Sequence, residues 1–240
     1  MNNGLLSFAW KSVLSNLRET GLAIGAVSLG VATVVILLSL GFGLYDVVTQ
    51  QVATSSASTI IISAVGGQGP PGTNAINPLS TDLERIIERV RGVETVAGRL
   101  IRTTTLTVDD ETTTVFVTSL PEEQEKQEYV LENFNYNVID GRSLKNGDTA
   151  ALGGYSLMNE NVVDRPLLLR ETVQVNENPV RIVGELEEAG SFRVDNTLVI
   201  MEEFARSLFD SRNTYDVYVV QPATNVELNE VVLRLERVLR

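Results

Sequence analysis

The chain has 240 residues, of which 43% are hydrophobic and 21% charged, a composition typical of folded proteins and not of disordered ones. It contains no cysteine and no histidine, which excludes disulfides, thiolate chemistry and the commonest general base and metal ligand. The net charge is −12, and residues 1–45 hold only Lys11, Arg18 and Glu19, so the acidic excess follows them. Such an acidic part repels phosphates, and we expect no nucleic acid as a partner.

An uncharged run from Leu22 to Leu44 dominates the N-terminal part of the chain. A helix needs about 20 apolar residues to cross a bilayer, and this run is long enough. The sequence therefore predicts a membrane-embedded helix that extends outside the membrane over 21–57, after a short amphipathic arm at 1–20. Lys11 and Arg18 precede the run and favour a cytoplasmic N-terminus, with the rest of the chain extracytoplasmic.

A cleaved signal peptide is the alternative for the same run. Its apolar region is normally about 7–15 residues long, which is shorter than what is seen here. The small residues at 53–58 are compatible with a cleavage site. If the chain is cleaved there, it would be a secreted binding module.

Small residues recur inside the run at a spacing of four. Gly21 and Gly25 form one such pair, Ala26 and Gly30 form a second, and Ser28 and Ala32 form a third. Small residues let membrane helices approach closely, so Gly21, Gly25, Ala26 and Gly30 are the predicted helix-packing site; the alternative is that glycine is simply common in such helices. The sequence has no second apolar run, so we expect the partner helices to lie outside this sequence, with membrane lipid around them.

After the run, the pattern alternates between strands and helices. We predict a strand at 59–65, a loop at 66–78, a helix opened by a capping box at Thr81 and Glu84, and strands at 93–97 and 99–108. A hairpin is expected to turn at 109–111. The loop is no phosphate loop, because no Gly-Lys-Ser/Thr follows its glycines.

The second half has the same mixed character. It predicts a helical surface segment at 121–135, a short helix at 155–162, a hairpin turning at 176–178, a strand at 197–200 running into a helix, a strand at 215–220, and a final helix from 226. The fold class is therefore α+β, with two strand–helix–strand pieces around an inserted strand-rich section. The last residue falls in mid-helix without a C-cap, so we expect a longer protein.

Candidate catalytic groups are few. Asp109, Asp110 and Glu111 lack calcium-loop spacing and suit a solvated turn. A second acidic group at 185–188 suits a solvated strand end, and Lys126 and Lys145 lie in charged or turn-like segments, poor places to desolvate an amine. We therefore predict no catalytic residue, no metal site and no cofactor.

Several segments, in this order, resemble the MacB/FtsX/LolC-type permeases of type VII ABC transporters. The matching segments are 9–14 with 16–18, 25–32, 39–44, 140–142, 151–153, 178–186 and 195–200. The first three are similar to the family's cytoplasmic amphipathic helix and first transmembrane helix. The family has three further transmembrane helices after this domain, which this sequence lacks, and no Walker A sequence is present.

The resemblance implies a non-catalytic permease subunit in the cell membrane. It also implies a separate ABC ATPase subunit, a second permease subunit in a homodimer or heterodimer, and an extracytoplasmic adaptor or substrate. By this resemblance 58–120 and 213–240 form a porter-like subdomain, and 121–212 form an inserted sabre-like subdomain. The span would couple ATP hydrolysis to movement of the outer domain, which is called mechanotransmission.

Overall fold

The computed structural model of the chain describes residues 17–53, 59–64, 79–160, 162–224 and 226–239. The predicted arm at 1–16 and the loop at 66–78 lie outside the described residues. The chain forms two compact units, residues 1–52 and 53–240. The predicted fold class is confirmed: an N-terminal apolar helix and a mixed α/β domain.

The described residues of the first unit form one long helix, α1, which spans Leu17–Ala53. The domain contains twelve strands and six further helices among the described residues. The strands are β1 (Ile60–Ser63), β2 (Leu79–Ser80), β3 (Val93–Arg99), β4 (Ile101–Val108), β5 (Glu111–Leu120), β6 (Val138–Gly141), β7 (Ala150–Gly153), β8 (Thr172–Val175), β9 (Asn178–Leu186), β10 (Thr197–Met201), β11 (Thr214–Tyr215) and β12 (Val217–Pro222). The helices are α2 (Asp82–Glu88), α3 (Gln124–Asn133), α4 (Tyr155–Asn159), α5 (Phe192–Asp195), α6 (Glu202–Leu208) and α7 (Leu228–Leu239).

A three-stranded sheet has the order β1-β12-β3, and both neighbours of β12 are antiparallel to it. Strands β1 and β3 therefore run in the same direction with β12 between them, and α2 connects them as a split strand–helix–strand unit. Helix α7 follows β12 and packs beside α2, where the Gly92 backbone lies close to the side chains of Val226 and Val231. Ile87, Val231 and Leu235 are the buried residues of these two helices.

The second sheet has seven strands in the order β6-β9-β7-β10-β5-β4-β8, and β8 also pairs with β9. The extra pairing closes six of the strands into a barrel. Apolar residues at alternating positions of these strands belong to one buried cluster: Leu106, Val115, Val117, Val173, Val175, Val180, Ile182, Leu198 and Ile200. Helix α3 covers the other side of the sheet, where Val130 packs with Leu152 and Val199.

The sheets divide the chain at a different place from the predicted subdomain boundary. The sequence prediction assigned residues 58–120 to one subdomain, but β4 and β5 pair within the seven-stranded sheet together with strands from 121–212. Only Leu100 separates β3 from β4, so the chain passes between sheets without a turn sequence that would mark the change. The names porter-like and sabre-like for the two parts stay predictions.

Local turn chemistry was predicted with mixed success. The hairpin between β4 and β5 turns at Asp109 and Asp110, and the hairpin between β8 and β9 turns at Asn176 and Glu177, all four with positive φ. Two-residue turns of this kind match the strand twist, and Asn and Asp tolerate the left-handed conformation. The capping box at Thr81 is wrong: its side chain forms no cap hydrogen bond, and Glu84 pairs with Lys126 instead.

Candidate functional site: the apolar helix and the junction of the two sheets

Within α1, Thr20–Gly41 is a 22-residue segment with a mean hydropathy of 2.4, and none of it is buried against other parts of the chain. By length and composition it is able to cross a membrane, a test that a signal sequence near the N-terminus also passes.

The predicted packing residues Gly21, Gly25, Ala26 and Gly30 all lie on this helix, but they do not share one face. At about 100° per residue, the pair Gly21 and Gly25 lies about 140° from the pair Ala26 and Gly30. A Cβ atom built at Gly21, Gly25 or Gly30 would have no neighbour within 4 Å.

One face of the helix is nevertheless lined by small residues. Gly21, Gly25, Ser28 and Ala32 follow one another at spacings of four, three and four, which places them within an arc of about 60°. That spacing is the one at which two helices pack along a left-handed seam. The helix therefore presents a narrow face on which another backbone can approach closely.

The second feature is the junction where the chain passes between the two sheets. It crosses from the small sheet to the large one at Leu100, between β3 and β4. It returns to the small sheet after Asp216, where β11, which pairs with β2 as a short two-stranded sheet, leads into β12. Backbone and side-chain hydrogen bonds join the two crossings: the Asp216 N–H donates to the Arg99 carbonyl at 3.0 Å, and the Ile101 N–H donates to Asp216 Oδ2 at 2.8 Å. Ser119 of β5 also accepts a hydrogen bond from the Leu100 N–H through its Oγ, at 2.8 Å.

Arg99 is the largest fully buried side chain of the described chain, and it lies at this junction. Its guanidinium donates to the Ser119 carbonyl at 3.0 Å, to Thr118 Oγ1 at 2.6 Å and to the Tyr136 hydroxyl at 3.3 Å. It also lies over the ring of Phe134, with Cζ 4.4 Å from the ring centroid. Arg99 therefore links β3 of the small sheet to β5 and to the segment after α3 through hydrogen bonds and a cation–π contact.

Asp216 is the buried acid of the junction, with a fully buried side chain. Its Oδ1 lies 3.0 Å from Arg102 Nη1, and its Oδ2 accepts from the Ile101 N–H. Burial raises the pKa of Asp216 above its usual value, although the Ile101 hydrogen bond and the Arg102 charge oppose that change. The folded protein therefore binds a proton at this carboxyl more readily than the unfolded chain does.

The raised pKa of Asp216 gives stability a predictable pH dependence. A carboxyl with a raised folded-state pKa adds stability below its unfolded pKa, and that contribution is lost as pH rises through the folded pKa. We expect the unfolding free energy of the wild-type domain, minus that of Asp216→Asn, to increase as pH falls from about 7 to about 4. Urea unfolding of both proteins at several pH values measures this difference, because the other carboxyls titrate equally in both. A difference that shrinks on acidification would show that Arg102 outweighs burial.

An ionic cluster joins α2 to α3 near the same junction. Lys126 Nζ lies 2.5 Å from Glu84, 3.3 Å from Glu88 and 3.2 Å from Glu123, and the lysine side chain is 15% exposed. The prediction that this lysine is poorly placed for desolvation is therefore wrong. Burial acts to lower the pKa of Lys126, but its hydrogen bonds and the charges of Glu84 and Glu123 outweigh burial, so the pKa is raised. A permanently charged amine is not a nucleophile.

The other candidate acids do not converge. Asp109 accepts hydrogen bonds from Arg165, at 2.6 and 3.0 Å, and Glu185 accepts one from Asn159 at 2.7 Å. In the part of the chain that the structure describes, no group of three or more acidic residues could hold a metal ion.

Comparison with known proteins agrees with this architecture. A model of the MacB-like periplasmic core domain family matches residues 20–238. The chain is 23% identical over 239 residues to the uncharacterized ABC transporter permease MJ1507 of Methanocaldococcus jannaschii, and the match covers 98% of this chain and 58% of that protein. The chain therefore spans less than two thirds of the length of this relative.

Two solved structures share the fold of the domain. The periplasmic region of MacB from Actinobacillus actinomycetemcomitans matches with a TM-score of 0.57 and 14% identity, over 77% of this chain and 83% of that one. The extracellular domain of the noncanonic ABC-type transporter YknZ from Gram-positive bacteria matches with a TM-score of 0.55 and 17% identity, over 75% and 92%.

Proposed function

Since this chain belongs to the family of proteins with a MacB-like periplasmic core domain, we propose that it is a non-catalytic permease subunit of an ABC transporter. In this proposal α1 is a retained membrane span with a cytoplasmic N-terminus, and residues 58–240 form the extracytoplasmic domain. In the same proposal a separate subunit hydrolyses ATP, and these 240 residues contain no Walker A sequence. The permease works in a pair, and α1 transmits movement to the domain for export or extraction of a substrate.

The observation that supports the proposal most directly is the small-residue face of α1. Gly21, Gly25, Ser28 and Ala32 lie along one side of a helix that makes no contact there with the described rest of the chain. Lipid provides no hydrophobic drive for helix association, so close packing at small residues is how such helices gain partners. The face fits a neighbouring span of the same transporter.

A mechanical role also agrees with the chemistry of the domain. Its buried polar groups at the junction, Arg99 and Asp216, and the half-buried Lys126 between α2 and α3 are each engaged in hydrogen bonds or ion pairs that link one element to another. A domain that transmits force requires such links between its two sheets, and it requires no reactive group.

We expect Gly25→Leu to reduce ATPase turnover of the assembled transporter about tenfold, because a leucine on the small-residue face holds the partner helix about 1–2 Å further away. The measurement is the turnover of the ATPase subunit that co-purifies with the full-length protein in lipid. Val27→Leu is the control, because it adds one methylene on the opposite face. Equal turnover in wild type and Gly25→Leu would contradict a packed, coupling helix.

The mass of the mature protein tests the alternative function. A mature mass lacking about fifty N-terminal residues would support a signal-peptide-led binding module instead.

A further inference from the structure

An open groove lies between α2 and α7 on the surface of the small sheet's helical layer. Its volume is about 450 Å³, and its apolar lining is Ile86, Val90 and Val238. Four arginines line it as well: Arg89, Arg91, Arg234 and Arg237. No acidic residue lines the groove, which is unusual for a surface of a protein with a net charge of −12.

The groove stays basic because neighbouring acids are engaged elsewhere. Glu84 and Glu88 point to Lys126 on α3, and Glu230 pairs with only one edge of Arg234, at 2.8 Å. Among the described residues, no carboxylate lies within ion-pair distance of Arg89 or Arg237. The groove therefore combines an apolar floor with uncompensated positive charge, which fits an anionic segment of a protein.

The same molecule presents such a segment on α3. Glu125, Glu128 and Glu132 follow at spacings of three and four, so they share one face of the helix, and all three are exposed. In the described chain none of the three forms an ion pair, and Lys126 lies on the opposite side of the helix, towards α2. This acidic face is complementary in charge to the groove.

The two surfaces are also placed close together. Helix α2 contacts α7 on one side and is linked to α3 by Lys126 on the other, so the basic groove and the acidic face belong to neighbouring helices of one layer. In a two-fold symmetric dimer each surface is used twice, once by each copy. One two-fold axis can therefore bring the acidic face of each copy against the groove of the other.

We propose that two copies of this chain pair through their domains, with the acidic face of α3 on one copy seated in the α2–α7 groove of its partner. This inference rests on the proposed pairing of two permease subunits and specifies the surface that they use. Exposed ion pairs contribute little each, but two chains anchored in one membrane meet at a high effective concentration. The contact is accordingly weak, reciprocal and sensitive to salt.

Charge reversal provides a test with a built-in rescue. One variant carries Arg89→Glu with Arg237→Glu in the groove, and the other carries Glu125→Arg with Glu128→Arg on the acidic face. Each variant places like charges opposite each other at both contacts of its own dimer. A mixed dimer of the two variants restores opposite charges at both contacts.

The readout uses the absence of cysteine from the chain. Gln124→Cys on one full-length copy and Leu233→Cys on another, mixed in lipid, report the contact through a short bis-maleimide. We expect efficient cross-linking in the wild-type background, a loss of about tenfold within either variant alone, and recovery when the acidic-face variant carrying Gln124→Cys meets the groove variant carrying Leu233→Cys, since the two reversed surfaces then face each other. Salt at about 1 M should weaken the wild-type band.

Each other outcome overturns the proposal. Unchanged cross-linking in the groove variant would mean that the groove serves a different anionic partner, and a mixture as weak as the separate variants would exclude direct complementarity. Circular dichroism of each variant checks folding. Co-purification of the ATPase subunit is measured on the same samples. If the wild-type protein does not co-purify with an ATPase subunit, the proposed function is refuted. If variants that no longer cross-link still co-purify with it, the charge reversals have disrupted only the contact between the two domains.

Discussion

Replacing Arg99 by alanine is expected to lower the unfolding free energy of the domain by about 4 kcal/mol. The side chain is 1% exposed and fills the space between β3, β5 and the rings that follow α3. Alanine leaves a cavity, removes the stack on Phe134, and leaves the Ser119 carbonyl and Thr118 hydroxyl without the donor they now have. Buried acceptors without a donor each cost about 1–3 kcal/mol, so the losses combine at one place.

Two further variants separate the causes of this loss. Arg99→Met keeps most of the volume but donates no hydrogen bond, and we expect it to cost about half as much as alanine. Arg193→Ala is the matched control, because Arg193 is exposed and surface changes usually stay within about 0.5 kcal/mol. Urea unfolding of residues 53–240, followed by circular dichroism, gives the free energies. A cost below about 1 kcal/mol for Arg99→Ala would show that the junction does not depend on this side chain.

The elements of the fold that are determined by residues close together in the sequence were predicted from the sequence. The apolar helix follows from a run without charge, and both hairpins follow from alternating strands around Asp109 and Asn176, although the predicted turns had three residues and the observed ones have two. Closure of the barrel was beyond prediction, because it requires β8 to pair both with β9, its neighbour in the chain, and with β4, more than sixty residues earlier. Such a pairing leaves no local pattern.

The candidate site was only partly predictable for the same reason. The packing role of Gly21, Gly25, Ala26 and Gly30 stays a prediction, and the face that Gly21 and Gly25 share with Ser28 and Ala32 emerges only when the helical turn is applied to the whole segment. Arg99 and Asp216 were missed, although each is followed by apolar residues in the sequence, Leu100 and Ile101 in one case and Val217 in the other. What they bind could not be predicted, since their partners come from strands that are distant in the chain.

Gly98, next to Arg99 in β3, is a second position at the junction, and a larger side chain does not fit there. A Cβ atom at Gly98 would lie within 3.0 Å of three atoms of the Tyr215 ring. That ring cannot move aside easily: its hydroxyl donates to Glu202 at 2.7 Å, Arg206 Cζ lies 4.6 Å from its centroid, and Tyr218 packs against it edge-on at 5.3 Å. We therefore expect Gly98→Ala to lower the unfolding free energy by about 3 kcal/mol, at the upper end of ordinary overpacking.

Gly153→Ala is the matched control for Gly98→Ala, because Gly153 is also a buried strand glycine, but its added methyl would meet the flexible end of Met158. A thioether chain can change rotamer, so this variant should cost less than about 1 kcal/mol. If the tyrosine ring is the obstacle, Gly98→Ala should also cost much less in a Tyr215→Val background, which removes the ring atoms in question. Equal costs in both backgrounds, measured by urea unfolding, would place the obstacle in the backbone instead. A smaller cost would identify Tyr215, held by Glu202 and Arg206 of α6, as the group that fixes how closely β3 approaches the second crossing of the chain.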